Sequence, residues 1–308
     1  MAEFMYPRLL RGDDPRRVLY ELRRYMHMNA DDDHDWASLV CYASVPEDFD
    51  DQVAAFFESQ TKLAINAQMG KTDAVAEHRA PVEKPENPAV DAEKAAIDGA
   101  LDEASRLLDA WEKRLPKGKS MEERGQRTTC YGIKGSVLKR FGLVYGKRGE
   151  HAGAEEVLEK AHKAYRKAMG EWATDGDRYH WTATQYLCLS AILRRERDTT
   201  TLTLSRRFAE RDVASADVDN MTRAWAHGTL AELELLTLWH GGKRSNVQAA
   251  VLKHCDKIVE LTGADSFTTK STRRHFQRYV DRWFLEKWEQ NDLADVARAA
   301  VERLTSIP

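Results

Sequence analysis

Long apolar runs are missing from this chain of 308 residues. No segment approaches the roughly 20 consecutive apolar residues that a membrane-spanning helix needs, and the N-terminus has no secretory h-region. Cysteine is scarce: four residues (Cys41, Cys130, Cys188, Cys255), widely spaced and never as CxxC. That spacing argues against a disulfide framework or a Cys-rich zinc site. Each cysteine falls in an apolar stretch, where a free thiol packs as a small hydrophobe, so reduced core cysteines in a cytoplasmic protein are expected. A charge of one sign is lacking too. Charged residues make up 31% of the chain, yet the formal net charge is only −3. The molecule as a whole therefore does not attract nucleic acid or an anionic membrane.

What the chain has in abundance is helical periodicity. Residues 16–28 put Val18, Leu19, Leu22, Tyr25 and Met26 on one face, with arginines opposite. Residues 36–44 then run apolar without that period up to Pro46, the one convincing strand, whose sheet is not evident in this chain. A helix is expected over 50–78, carrying Val53, Phe56, Phe57, Leu63, Ala64 and Ala67. The stretch 80–90 holds three prolines and breaks the chain.

Beyond residue 90 the patterning predicts helices over 91–114, from Ser120 to near Gly149, around Val157 to Ala168, and over 179–196, 217–240, 246–262, 269–289 and 291–305. Ser120-x-x-Glu123 and Ser245-x-x-Gln248 are capping-box signatures. Two stretches read as versions of one unit. Tyr131-Gly-Ile-Lys-Gly135 opens a helix whose partner carries Ala161, Tyr165 and Ala168, and Trp225-Ala-His-Gly228 opens another whose partner begins near Val247. Small residues let paired helices approach while an aromatic fills the space between turns, which is tetratricopeptide grammar. The expected fold class is therefore mainly α: an α-solenoid of tetratricopeptide-like helix pairs with a short N-terminal helix–strand remnant.

On this pattern residues 85–288 resemble the TRAFs-binding, tetratricopeptide-like domain of apoptosis signal-regulating kinases and many bacterial multidomain proteins. The resemblance is carried by Leu107-Leu-Asp-Ala-Trp-Glu-Lys-Arg-Leu-Pro116, Gly135-Ser-Val-Leu-Lys-Arg140, Ala161-His-Lys-Ala-Tyr-Arg166, Trp225-Ala-His-Gly-Thr-Leu-Ala-Glu232 and Asp265-Ser-Phe-Thr-Thr-Lys-Ser-Thr-Arg-Arg274. Residues 13–45 resemble the C-terminal end of a CHAT domain, the caspase-like peptidase fold. Asp14-Pro-Arg-Arg-Val-Leu-Tyr-Glu-Leu-Arg-Arg24 is similar to its last helix and His34-Asp-Trp-Ala-Ser-Leu-Val-Cys-Tyr42 to its final strand. The resemblance implies that the strand's sheet lies upstream, as do the family's catalytic His and Cys. The implied organisation is a CHAT remnant over 1–48, a connecting helix and Pro-rich linker over 49–85, and a TRAFs-binding helical domain over 86–308.

Reactive-looking groups have plainer readings. His34 and Cys41 invite a dyad, but Cys41 sits mid-strand with nothing to ionise it. Gly70-Lys71-Thr72 has Ile65 where a phosphate-binding loop needs glycine. The ten histidines form no HxxxH or HExxH; His254 and Cys255 point to different helix faces, and His180 and His227, beside Trp181 and Trp225, read as core or interface residues. Glu232 and Glu234 interrupt a very apolar helix, so one is expected to meet an arginine such as Arg273. The strongest basic–aromatic cluster is Lys270, Arg273, Arg274, Arg278 and Arg282 with His275, Tyr279 and Trp283.

The reading that follows is a non-catalytic protein–protein interaction scaffold with no cofactor and no metal, the regulatory or partner-binding part of a CHAT-peptidase-type signalling or defence protein. Its partner is expected to be protein, including a CHAT peptidase domain in cis or trans. Expected contact positions are Lys134, Lys139, Arg140, Tyr179, Trp181, Arg223, Arg273 and Arg274. The competing readings are a subunit that completes a CHAT peptidase supplied by another chain, and a nucleic-acid-binding helical scaffold, the less favoured of the two.

Overall fold

The computed structural model describes residues 88–171, 179–285 and 290–306, with positions 7, 8, 18 and 20–22 near the N-terminus. The expected strand over 36–44, the helix over 50–78, Cys41 and Gly70-Lys71-Thr72 lie outside the described residues, as does most of the CHAT-like stretch. Of the first expected stripe, Val18 and Leu22 are helical and buried. Among the described residues there is no strand.

The chain divides into two compact units, Met1–His78 with Lys84–Pro116, and Arg79–Glu83 with Lys117–Pro308. In the first, helix α1 (Pro88–Glu112) buries Ala104, Leu107, Leu108 and Trp111 along one side. The second unit holds the helical array: α2 (Met121–Lys147), α3 (His151–Gly170), α4 (Tyr179–Ile192), α5 (Thr199–Ala214), α6 (Asn220–Leu236), α7 (Arg244–Thr262), α8 (Phe267–Val280) and α9 (Asn291–Ser306). Successive helices pack on one another from α2 to α7. At the C-terminal end α9 lies against both α7 and α8, and α6 also touches α4 and α8. Such consecutive packing is the solenoid-like arrangement predicted from the one-sided stripes.

Local chemistry sets the helix starts. Ser120 and Glu123 form the expected capping box: the Glu123 backbone N–H donates to the Ser120 hydroxyl, and the Ser120 N–H donates to Glu123. The second expected box is not there. Helix α7 starts two residues earlier, at Arg244 after Lys243, without a side-chain cap, and Ser245 lies inside its first turn. Helix α5 was not foreseen at all. Its Thr-Thr-Thr-Leu-Thr start has poor helix propensity, but Asp198 accepts from the Thr201 N–H at 2.8 Å and caps it, and Ser205 and Ala209 pack inward.

The expected helix over 269–289 stops at Val280. A tight turn at Arg282–Phe284 follows, with φ of 54°, 53° and 54° at Arg282, Trp283 and Phe284. Left-handed backbone costs an L-residue roughly 1–2 kcal/mol, so three in a row persist only where packing holds them. The packing is visible. A Cβ at Gly146, near the end of α2, would lie 2.8 Å from the Phe284 carbonyl oxygen. His151 Nδ1 also reaches that oxygen, at 3.1 Å. The end of the array thereby returns to its first helix pair.

Close approach also joins α2 to α3. A Cβ at Gly135 would fall 2.8 Å from the Tyr165 ring, which is fully buried. This is the small-residue and aromatic pairing that the sequence pattern implied.

Candidate functional site

One polar cluster ties four helices together inside this core. Lys139 of α2 donates to the Gln185 carbonyl oxygen of α4. Gln185 Nε2 donates to Glu232 Oε2 of α6 at 3.2 Å. On α8, His275 places Nδ1 3.3 Å from Glu232 Oε2 and Nε2 3.3 Å from Lys139 Nζ. The Tyr279 hydroxyl lies 2.9 Å from both Glu232 Oε1 and Cys188 Sγ. A phenol has one proton, so the consistent order is Cys188 S–H to Tyr279, and Tyr279 O–H to Glu232.

The electrostatics agree with that order. Burial raises the Cys188 thiol and the Tyr279 phenol well above their ordinary values, so both keep their protons. Burial works to raise Glu232, but His275, Lys139 and Tyr279 hold its carboxylate down at about 2. Burial, with Lys139 beside it, pushes His275 down to about 4, so its imidazole is neutral at pH 7. It can then donate through Nδ1 to Glu232 and accept through Nε2 from Lys139. Burial, then the nearby Arg278 charge, pushes Lys139 down to about 7. Every titratable group of this ring except Lys139 is fixed in one protonation state at neutral pH. Such an arrangement holds helices in register.

Of the two glutamates expected to supply one arginine pair, Glu232 is not the one: its partners are His275, Gln185 and Tyr279. Glu234 does meet an arginine, Arg206 at 3.1 Å, on the helix that was not foreseen.

Further histidines bridge helices. His180 Nε2 lies 3.0 Å from Asp212 of α5 and its Nδ1 3.2 Å from Thr229 of α6. His227 and His254 face each other at 3.0 Å between their Nδ1 atoms, and burial followed by the His227 charge pushes His254 down to about 4. Among the described residues no three His, Cys, Asp or Glu side chains gather as metal ligands. Cys130, Cys188 and Cys255 are buried.

A second surface lies at the starts of α6 and α8, where Met221, Trp225 and Phe267 are exposed, Phe267 by 69%. Trp181 is exposed at the start of α4 and meets the Tyr165 ring edge-on. Trp225 meets Phe267 edge-on at 6.0 Å, and the Arg274 guanidinium sits 6.0 Å from the Phe267 ring. Helix α8 carries Lys270, Arg273, Arg274 and Arg278 and no acidic residue.

The expected contact residues distribute unevenly. Trp181 and Arg274 are exposed, and Lys134, Arg140, Arg223 and Arg273 are partly so. Arg223 turns back to the Ser215 carbonyl at 2.9 Å. Lys139 and Tyr179 are each only 3% exposed, and this removes them from any contact surface. Tyr179 packs with Ala183, Met169, Leu204 and Phe208 instead. Sequence reasoning missed Met221, Trp225 and Phe267 as surface residues, because an apolar residue near a helix start reads as core. The signal available was their position: Phe267 directly follows the Ser266 cap, in the least enclosed turn of its helix.

No family model, no curated protein and no solved structure matches the chain.

Proposed function

We propose that this chain is a protein–protein interaction scaffold that binds its partner at the starts of α6 and α8. The observation that carries the reading is the exposed Trp225–Phe267 pair with Arg274 stacked on it. Tryptophan, methionine and arginine are the residues most enriched where proteins bind one another, and lone exposed aromatics rarely pair this way on an inert surface. The resemblance of 85–288 to TRAFs-binding domains favours the same role. That of 13–45 to a CHAT C-terminus favours a regulatory or partner-binding part of a peptidase-type signalling or defence protein. The inner polar ring fits such a scaffold, since its carboxylate and imidazole serve to hold helices and to satisfy one another.

Affinity capture of partners by the intact chain, compared with a Trp225→Ala/Phe267→Ala double variant, tests the reading. Loss of specific binding with an unchanged melting temperature is expected. Binding that survives both this variant and Arg273→Glu/Arg274→Glu would remove this surface from consideration. A basic α8 also gives nucleic acid a foothold, and retention on heparin with a steep salt dependence would favour that alternative.

A further inference from the structure

Trp283 is completely enclosed, yet its indole Nε1 has no hydrogen-bond partner. Beside it, the Arg278 guanidinium carbon lies 6.0 Å from the Trp283 ring, and Arg278 Nη1 is likewise buried without a partner. Buried polar groups are nearly always paired, and a buried cation without an acceptor costs several kcal/mol. Two neighbouring side chains therefore each carry a buried donor without a partner. They lie where α8 and its left-handed turn return to α2, whose Arg140 and Lys139 add positive charge near Arg278.

Charge counting sharpens the point. Among the described residues of this region Glu232 is the one carboxylate, and it already accepts from Gln185 and Tyr279 and faces His275. Its charge is felt by both Lys139 and Arg278, Arg140 adds positive charge beside Arg278, and His275, Cys188 and Tyr279 are uncharged in the order described above. The region is not sealed, because a quarter of the neighbouring His275 side chain (24%) is exposed and Arg278 is only partly buried. The strained backbone at Arg282–Phe284 is what holds Trp283 beside the guanidinium, and strain of this kind gathers at binding sites.

We infer that Arg278 and Trp283 form a seat for a single carboxylate, the planar guanidinium and the indole N–H being its donors. An anion matches the excess of positive charge, and a carboxylate matches the planar guanidinium. A small free acid and an acidic side chain of a docked protein both present this group, and the two arms below tell them apart. The inference does not depend on the exposed aromatic surface, and either can fail alone.

The test uses the full chain labelled with ¹⁵N at its tryptophan indoles. The Trp283 signal is assigned by its loss in Trp283→Phe. Acetate is titrated at constant ionic strength, and in a second arm a peptide of glutamates is compared with the same peptide of glutamines. Saturable movement of the Trp283 signal with acetate identifies a free-acid site. Movement with the glutamate peptide alone identifies a protein-borne one. In both cases Arg278→Gln should reduce the response at least tenfold. An independent readout is stability without carboxylate: Arg278→Met should melt a few degrees higher than the parent, because a buried positive charge is removed. No saturable shift with either probe, or a lower melting temperature for Arg278→Met, overturns the assignment.

Discussion

Lys139 Nζ on α2 lies 3.3 Å from His275 Nε2 on α8, although the two residues are 136 positions apart in the chain. The contact reports the protonation of both. An ammonium beside a neutral ring nitrogen keeps that ring from taking a proton, and Glu232 on its other side pulls the opposite way. Replacing Lys139 by Met should therefore raise the His275 pKa from about 4. Histidine proton NMR across pH 3 to 8 would read this, and an unmoved titration would contradict the described order of donors.

Stability should follow an unusual pH profile. His275 is pushed from 6.5 to about 4, Lys139 from 10.5 to about 7, and Glu232 from 4.5 to about 2. In each window the unfolded chain binds more protons than the folded one, so stability rises with pH. For Glu232 this means stability is complete above 4.5 and is lost as the pH falls toward 2. For Lys139 the cost of burying the charge is relieved as pH climbs from 7 toward 10.5. Cys255 acts oppositely: burial pushes it from 9.0 up to about 12, so stability falls above pH 9. The melting temperature should climb from pH 4 to about 8 or 9 and then decline. Lys139→Met should flatten the alkaline part of the rise. A maximum near pH 5 in calorimetry would count against these assignments.

Two glycines of neighbouring helices should respond in opposite directions. At Gly135 a methyl would press on the buried Tyr165 ring at 2.8 Å, so Gly135→Ala should destabilise by about 1–3 kcal/mol. At Gly153, inside α3, nothing lies within 4 Å of a new Cβ, so Gly153→Ala should stabilise by about 0.5–1 kcal/mol. Denaturant unfolding of the pair checks both signs together.

Helix α5 depends on its cap. Asp198→Ala removes the acceptor of the Thr201 N–H and hydroxyl, at 2.8 and 2.6 Å, and should cost about 1 kcal/mol. The loss should appear as faster amide exchange over Thr199–Ala214, with α2 and α3 unaffected. Uniform acceleration along the chain would show that the cap acts on the whole array instead.

How far the sequence could be read follows from these same elements. Long stripes such as Val247, Val251 and Ile258 announce α7 because periodicity survives uncertain ends. The Ser120 box is legible because both of its members are local. Helix α5 escaped because threonines have weak propensity and its support comes from packing on the flanking α4 and α6, which no local pattern displays. Glu232 was recognised as a residue needing a partner, but nothing near it names one: His275 and Gln185 lie 43 and 47 positions away (275 − 232 and 232 − 185). The left-handed turn at Arg282–Phe284 has no glycine to advertise it. The sequence therefore read on through it as helix.

The meeting of Gly146 with Phe284 has a consequence for how this array comes apart. An open stack of helix pairs can fray from either tip, since each layer knows only its neighbours. Here the first and last layers share a seam, so neither is a free tip. Shortening the chain by its final pair would uncover α2 as well as α6, and melting should proceed as one event rather than by peeling.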